Sequence, residues 1–186
     1  VVRHLLTVSN ILKRIVTAIG NVAAWSAVLL MAVILFDVVS RRFFSVGSSE
    51  LQELEWHLHT VLFMFCLGLG YVRNAHVRID MVWENLGPRT KCWIEIIGIL
   101  TFMMPFCLVV IYYGGELTHR SFIKGEVSSS TTGLPYRWLI KSAIPIGMSV
   151  LLMAGVAVLL EKIHTLWTFA QGDDDGAGSG PDLAET

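Results

Sequence analysis

The sequence predicts an all-α integral membrane protein of four transmembrane helices, with one interfacial amphipathic helix at the N-terminus and another in mid-chain. Three observations predict it. Apolar residues make up 54% of the 186-residue chain, and the mean hydropathy is +0.62. Charged residues are only 16%, against about 25% in an average soluble domain. The apolar residues gather into four runs, about 15–39, 54–73, 92–117 and 136–160, whose ionisable groups stand near the ends. Each run is long enough to cross a hydrocarbon layer about 30 Å thick.

Residues 1–14 mix Arg3, His4, Lys13 and Arg14 with Leu5, Leu6, Val8, Ile11 and Leu12. That pattern suits a helix lying on the membrane surface ahead of the first crossing. A signal peptide also places positive charge before an apolar run. The run Ile15–Val39 is too long for a signal core, and no small-residue cleavage site follows it. Asp37 precedes Arg41 by four residues, so the two can pair on one helix face. A boundary ion pair and a proton or sodium ligand are the two readings of Asp37, and its place near the end of the run favours the first. Arg41 and Arg42 mark the boundary.

The second crossing opens with a capping pattern, Ser49 and Gln52. Glu50, Glu53, Glu55, His57 and His59 follow, then an apolar run to Val72 that Arg73 ends. Glu53 with His57 and Glu55 with His59 have the spacing of side-chain partners on one helix face. From Val77 to Leu86 apolar and charged residues alternate over a stretch too short to cross, which predicts the mid-chain interfacial helix with Trp83 at headgroup level. Gly87-Pro88 ends that helix and starts the next. Within the third crossing Pro105 removes a backbone hydrogen bond and predicts a kink. Lys91–Glu95 and Glu116–Arg120 are possible pairs at its ends.

Residues 121–135 are rich in serine, threonine and glycine and form a polar loop. Pro135 opens the fourth crossing, where Lys141 lies shallow enough for its ammonium to reach the interface. The segment 170–186, with Asp173, Asp174 and Asp175 among glycines, has too few apolar residues to fold. Residues 1–165 are therefore expected to form one membrane domain, and 170–186 a disordered acidic tail. An even number of crossings puts both termini on one side. That side carries eight Lys and Arg against six on the other, so the termini are expected in the cytoplasm.

Chemistry is hard to place on this chain. It has no GxSxG, HExxH, phosphate-binding glycine loop or GxGxxG, so an enzyme is not expected. Cys66, Cys92 and Cys107 have no close spacing and read as packing residues. A net charge of −1 without a basic, aromatic-laced face excludes nucleic acid. His57 and His59 point about 200° apart on a helix and cannot share a metal. The sequence calls for no metal or cofactor. The rival reading is a membrane anchor of a respiratory oxidoreductase, in which His57 or His59 faces His119 across a haem b. Four crossings without a central charge or broken half-helices make a poor transport path. What remains is a chain that holds or completes another membrane protein.

Several blocks carry a family resemblance. They are Glu53-Leu-Glu55-Trp56-His57, Leu67-Gly-Leu-Gly-Tyr71 followed by His76-Val-Arg78-Ile-Asp80, and Thr132-Gly133-Leu-Pro135-Tyr-Arg-Trp138 with Ile144-Pro145-Ile-Gly147. In order and layout, over about residues 10–165, they resemble the small, DctQ-like membrane subunit of tripartite ATP-independent periplasmic (TRAP) transporters. The resemblance implies a scaffold in a bacterial inner membrane, surrounded by membrane lipids. Its expected partners are a large membrane subunit that carries the sodium and substrate sites, and a periplasmic substrate-binding protein that delivers an organic acid. The residues expected to contact partners are Arg42, Glu53, Glu55, Trp56, His76, Arg78, Asp80 and Lys141. Anchoring helix ends to lipid headgroups is the other role open to them.

Overall fold

The protein, seen in a computed structural model, is described over residues 2–44, 47–75, 86–128 and 135–177, with side chains described within 4–171. Every regular element among them is helical. They are α1 (Val2–Phe44), α2 (Ser49–Val72), α3 (Pro88–Gly98), a π-helical turn (Ile99–Met103), α4 (Met104–Ile123) and α5 (Arg137–Ala177). Three stretches are long and apolar enough to cross a membrane: His4–Phe44 in α1, Pro88–Ile123 across α3, the π turn and α4, and Arg137–Gln171 in α5. The polar first turns of α2 keep it outside that set, with Glu50, Glu53, Glu55, His57 and His59 at its start.

Helix α5 is the central element. It packs against α1, α2, α3 and α4, whereas the α3–α4 arm is held chiefly by α5. Within their most apolar windows, 44% of α5 is buried but only 11% of α1. Small residues let the helices close up, as membrane interfaces require. A Cβ at Gly147 would lie 2.7 Å from the Met64 Cβ and 2.9 Å from the Met64 carbonyl oxygen, and one at Gly20 would lie 2.5 Å from the Leu69 Cβ. Ala154 and Ala157 are fully buried, and Val16, Val150 and Ala154 form one core cluster. Ile96, Ile99, Val158 and Leu159 form a second.

These contacts fix the helix directions. Gly20 meets Leu69 while Ala23 lines one groove with Val61, so α2 runs antiparallel to α1. Met64 opposite Gly147 and Gly68 opposite Val150 make α2 parallel to α5. Gly114 against Pro145 and Met103 against Gly155 make the α3–α4 arm antiparallel to α5.

Several expectations need correction. Residues 1–14 do not form a separate surface helix, because α1 is continuous from Val2 to Phe44. No proline interrupts that stretch, and its buried positions Ser9 and Val16 lie against α5 and not against headgroups. The cap of α2 is Ser48, not Ser49: its hydroxyl accepts from Leu51 N–H at 3.4 Å. Pro105 is preceded by a π turn in which Met104 N–H reaches back five residues to Ile99 O. Widening the helix by one residue accommodates the missing donor, and a π turn stands where a kink was expected. Pro145 leaves α5 unbroken. The first residues of the segment expected to be unfolded, 170–177, are the end of α5. The mid-chain interfacial helix of Val77–Leu86 lies outside the described residues but for Leu86.

Candidate functional site

The charged side chains of the bundle collect at two ends. The terminal end carries the start of α1, the end of α2, the start of α3 and the end of α5. There Lys13 of α1 pairs with Glu161 of α5 at 2.5 Å, and the next residue, Lys162, pairs with Glu95 of α3 at 2.6 Å. Neighbouring residues on a helix point about 100° apart, so α5 grips one helix with each. The Ser9 hydroxyl donates to the Ala157 carbonyl at 2.7 Å. Arg73 donates to Asn21 at 3.1 Å and Arg89 to the Phe169 carbonyl at 3.0 Å.

The loop end is organised around the start of α2 and the chain after α4. Asp37 is buried and pairs with Arg41 at 2.7 Å on its own helix. Glu116 pairs with Arg120, also on one helix. Glu126, just beyond α4, accepts from Lys141 of α5 and from Ser121. The Lys141 hydrogen bond, and after it that of Ser121, hold the Glu126 carboxyl below its ordinary range. Ser128 donates to Glu53, so the same segment also reaches α2. Phe122 meets Trp138 edge to face, with ring centroids 5.4 Å apart.

The residues expected to contact partners fall into three groups. Glu53 and Lys141 are engaged inside the chain by Ser128 and Glu126. Arg42 and Trp56 are exposed, and Glu55 is half-buried with its Oε1 accepting no hydrogen bond among the described residues. His76, Arg78 and Asp80 lie outside the described residues. His57, His59 and His119 each sit in a surrounding of their own. His57 shares its Nδ1 with the Glu53 backbone carbonyl at 2.5 Å and not with that residue's carboxylate, His59 stacks on Phe63, and His119 is exposed. Among the described residues no three His, Cys, Asp or Glu come together as a metal site, and nothing supports the haem-anchor alternative.

Between its two ends the bundle carries no ionisable group on α1 from Ile15 to Phe36, on the α3–α4 arm from Ile96 to Gly115, or on α5 from Ser142 to Leu160, apart from cysteine and tyrosine. Residues 30–165 match the model of the DctQ component of tripartite ATP-independent periplasmic transporters. The chain belongs to the DctQ family. No curated protein matches the sequence. As a DctQ component, the chain is the small membrane part of a TRAP transporter.

The DctQ match runs from within α1, through α2, α3 and α4, to just past Glu161 and Lys162 of α5. Within it sequence reasoning missed Glu95, Glu126, Ser128, Glu161 and Lys162 as the residues that tie elements together. Their partners lie in other elements, and spacing along one helix carries no signal for them. Glu116–Arg120 and Asp37–Arg41, both within one helix, stand at readable spacing.

Proposed function

We propose that this chain is the four-crossing scaffold subunit of a sodium-coupled TRAP importer of organic acids in a bacterial inner membrane. It holds a large membrane subunit, and a periplasmic binding protein delivers the substrate. The observation that carries the reading is the separation of polarity. The described spans have an apolar middle, and their charged groups gather at the two rims.

The helix directions support a crossing by α2. Helix α1 ends at the loop end, and α3 begins at the terminal end. The chain between them must return across the bundle, and α2 makes that passage. Along α1, α2, the α3–α4 arm and α5, the charged markers Lys13 and Asp37, Glu55 and Arg73, Glu95 and Glu116, and Lys141 and Glu161 lie roughly 18 to 24 residues apart. At 1.5 Å per residue that is about 27–36 Å, the thickness of a hydrocarbon core and little more. Helix α2, with 24 residues, is about 36 Å long and so no shorter than the layer it would cross.

Partner contact falls to the loop end. Arg42 and Trp56 are exposed there, and buried oxygens of Asp37 and Glu55 accept no hydrogen bond among the described residues. A buried acceptor without a donor is costly, and a neighbouring subunit that supplies one relieves it. The test is co-purification. Wild-type chain is expected to bring down a much larger multi-span protein, and Glu55→Lys or Arg42→Glu to lose it while still inserting in the membrane. Solute uptake by this chain alone in liposomes would refute the scaffold reading.

A further inference from the structure

Two grooves on α1 meet end to end, and their polarities are opposite. The first, of about 600 Å³, is lined by Asn10, Lys13, Arg14, Thr17, Ala18 and Asn21, one continuous stripe of the helix. The second, of about 440 Å³, runs between α1 and α2 and is lined by Ala18, Ile19, Val22, Ala23, Val61 and Phe65, without a charged or hydrogen-bonding side chain. Ala18 belongs to both. The polar groove sits at the terminal end, at the level of the Lys13–Glu161 pair. The apolar groove leads from it toward the middle of the bundle.

The charges in the polar groove are unevenly answered. Lys13 is neutralised by Glu161. Arg14 is exposed and meets no carboxylate among the described residues. Asn21 accepts from Arg73 through its Oδ1, which brings a second guanidinium to the rim and leaves the Asn21 amide N–H groups to donate. The groove thus offers a guanidinium, amides and a hydroxyl to an anion, and beyond it a slot that takes only hydrocarbon.

The geometry points to a phospholipid site. The phosphodiester is held by Arg14 with Asn10, Thr17 and Asn21, and one acyl chain lies along Val22, Val61 and Phe65. Guanidinium suits phosphate because it is permanently charged and offers parallel donors. Basic pockets between membrane helices recognise anionic headgroups by the same chemistry.

The test is native mass spectrometry of the full chain, extracted with any subunit it holds and exchanged into detergent containing phosphatidylglycerol, diacylglycerol or glycerol 3-phosphate. Wild type is expected to retain phosphatidylglycerol over diacylglycerol. Arg14→Gln at the head of the site and Ala18→Trp at the junction are each expected to lower that retention about fivefold. Both positions are exposed, and circular dichroism and thermal melting are expected to match wild type. Equal retention of diacylglycerol, or an effect of fewer than both variants, overturns the proposal. Glycerol 3-phosphate held as tightly as the lipid overturns it too, because the apolar groove would then contribute nothing.

Discussion

At the terminal end the charged side chains join different helices, whereas at the loop end they pair within a helix or tie the segment after α4 to its neighbours. Lys13–Glu161 and Glu95–Lys162 lock α1 and α3 onto α5. Asp37–Arg41 and Glu116–Arg120 each pair within a single helix. A bundle tied in this way is held across helices at one rim and open at the other. Cross-helix pairs hold geometry, while self-contained pairs leave a rim whose remaining groups are available to another protein.

Gly147 and Gly20 set the approach of α2 to the helices on either side. Gly147→Leu is expected to destabilise the bundle most, by about 3 kcal/mol, because the Met64 backbone cannot yield as a side-chain tip can. Gly115→Ala, with nothing within 4 Å of its added Cβ, is expected to be neutral or to stabilise by about 0.5 kcal/mol. Detergent melting curves of the two variants check the contrast.

Next in size is the terminal end. Lys162→Ala leaves Glu95, whose side chain is 10% exposed, without that partner, and is expected to cost about 2 kcal/mol. Lys13→Glu and Glu161→Lys are each expected to destabilise, and their combination to recover most of the loss. A double-mutant cycle on melting temperature measures the coupling. At the loop end, Arg120→Ala breaks a pair whose side chains are 68% and 42% exposed and is expected to cost less than about 0.5 kcal/mol. An equal cost at the two ends would remove the distinction between them.

The smallest effect is a pH dependence. The Glu126 carboxyl is held below its ordinary value of 4.5 by Lys141 first and Ser121 second. A lowered folded-state value means that the link's contribution is present above 4.5 and is lost as pH falls through the lowered value. Hydrogen exchange across 124–128 is therefore expected to quicken only in acid, and Glu126→Gln to abolish that step.

Much of the architecture is legible in the sequence, because the signals behind it are local. Apolar runs, the Gly87-Pro88 helix start and the Asp37–Arg41 spacing all act within a few residues. Other features depend on what lies opposite. The run of α1 through residues 14 and 15 follows from Ser9 and Val16 meeting α5, and the extra residue in the turn at 99–103 follows from how the helix accommodates Pro105. Of the residues expected at the partner surface, Glu53 and Lys141 are engaged within the chain. Their charge advertises a contact but not whose.

The central claim is that α2 carries the chain back across the bilayer, so that the rim tied by Lys13 and Glu161 and the rim exposing Arg42 and Trp56 lie on opposite faces. Single cysteines at Gly47 and Gly87, in a chain whose native cysteines are replaced, test it with a membrane-impermeant maleimide on intact and on opened cells. One position is expected to react in intact cells and the other only after opening. Labelling of both from the same side would contradict it.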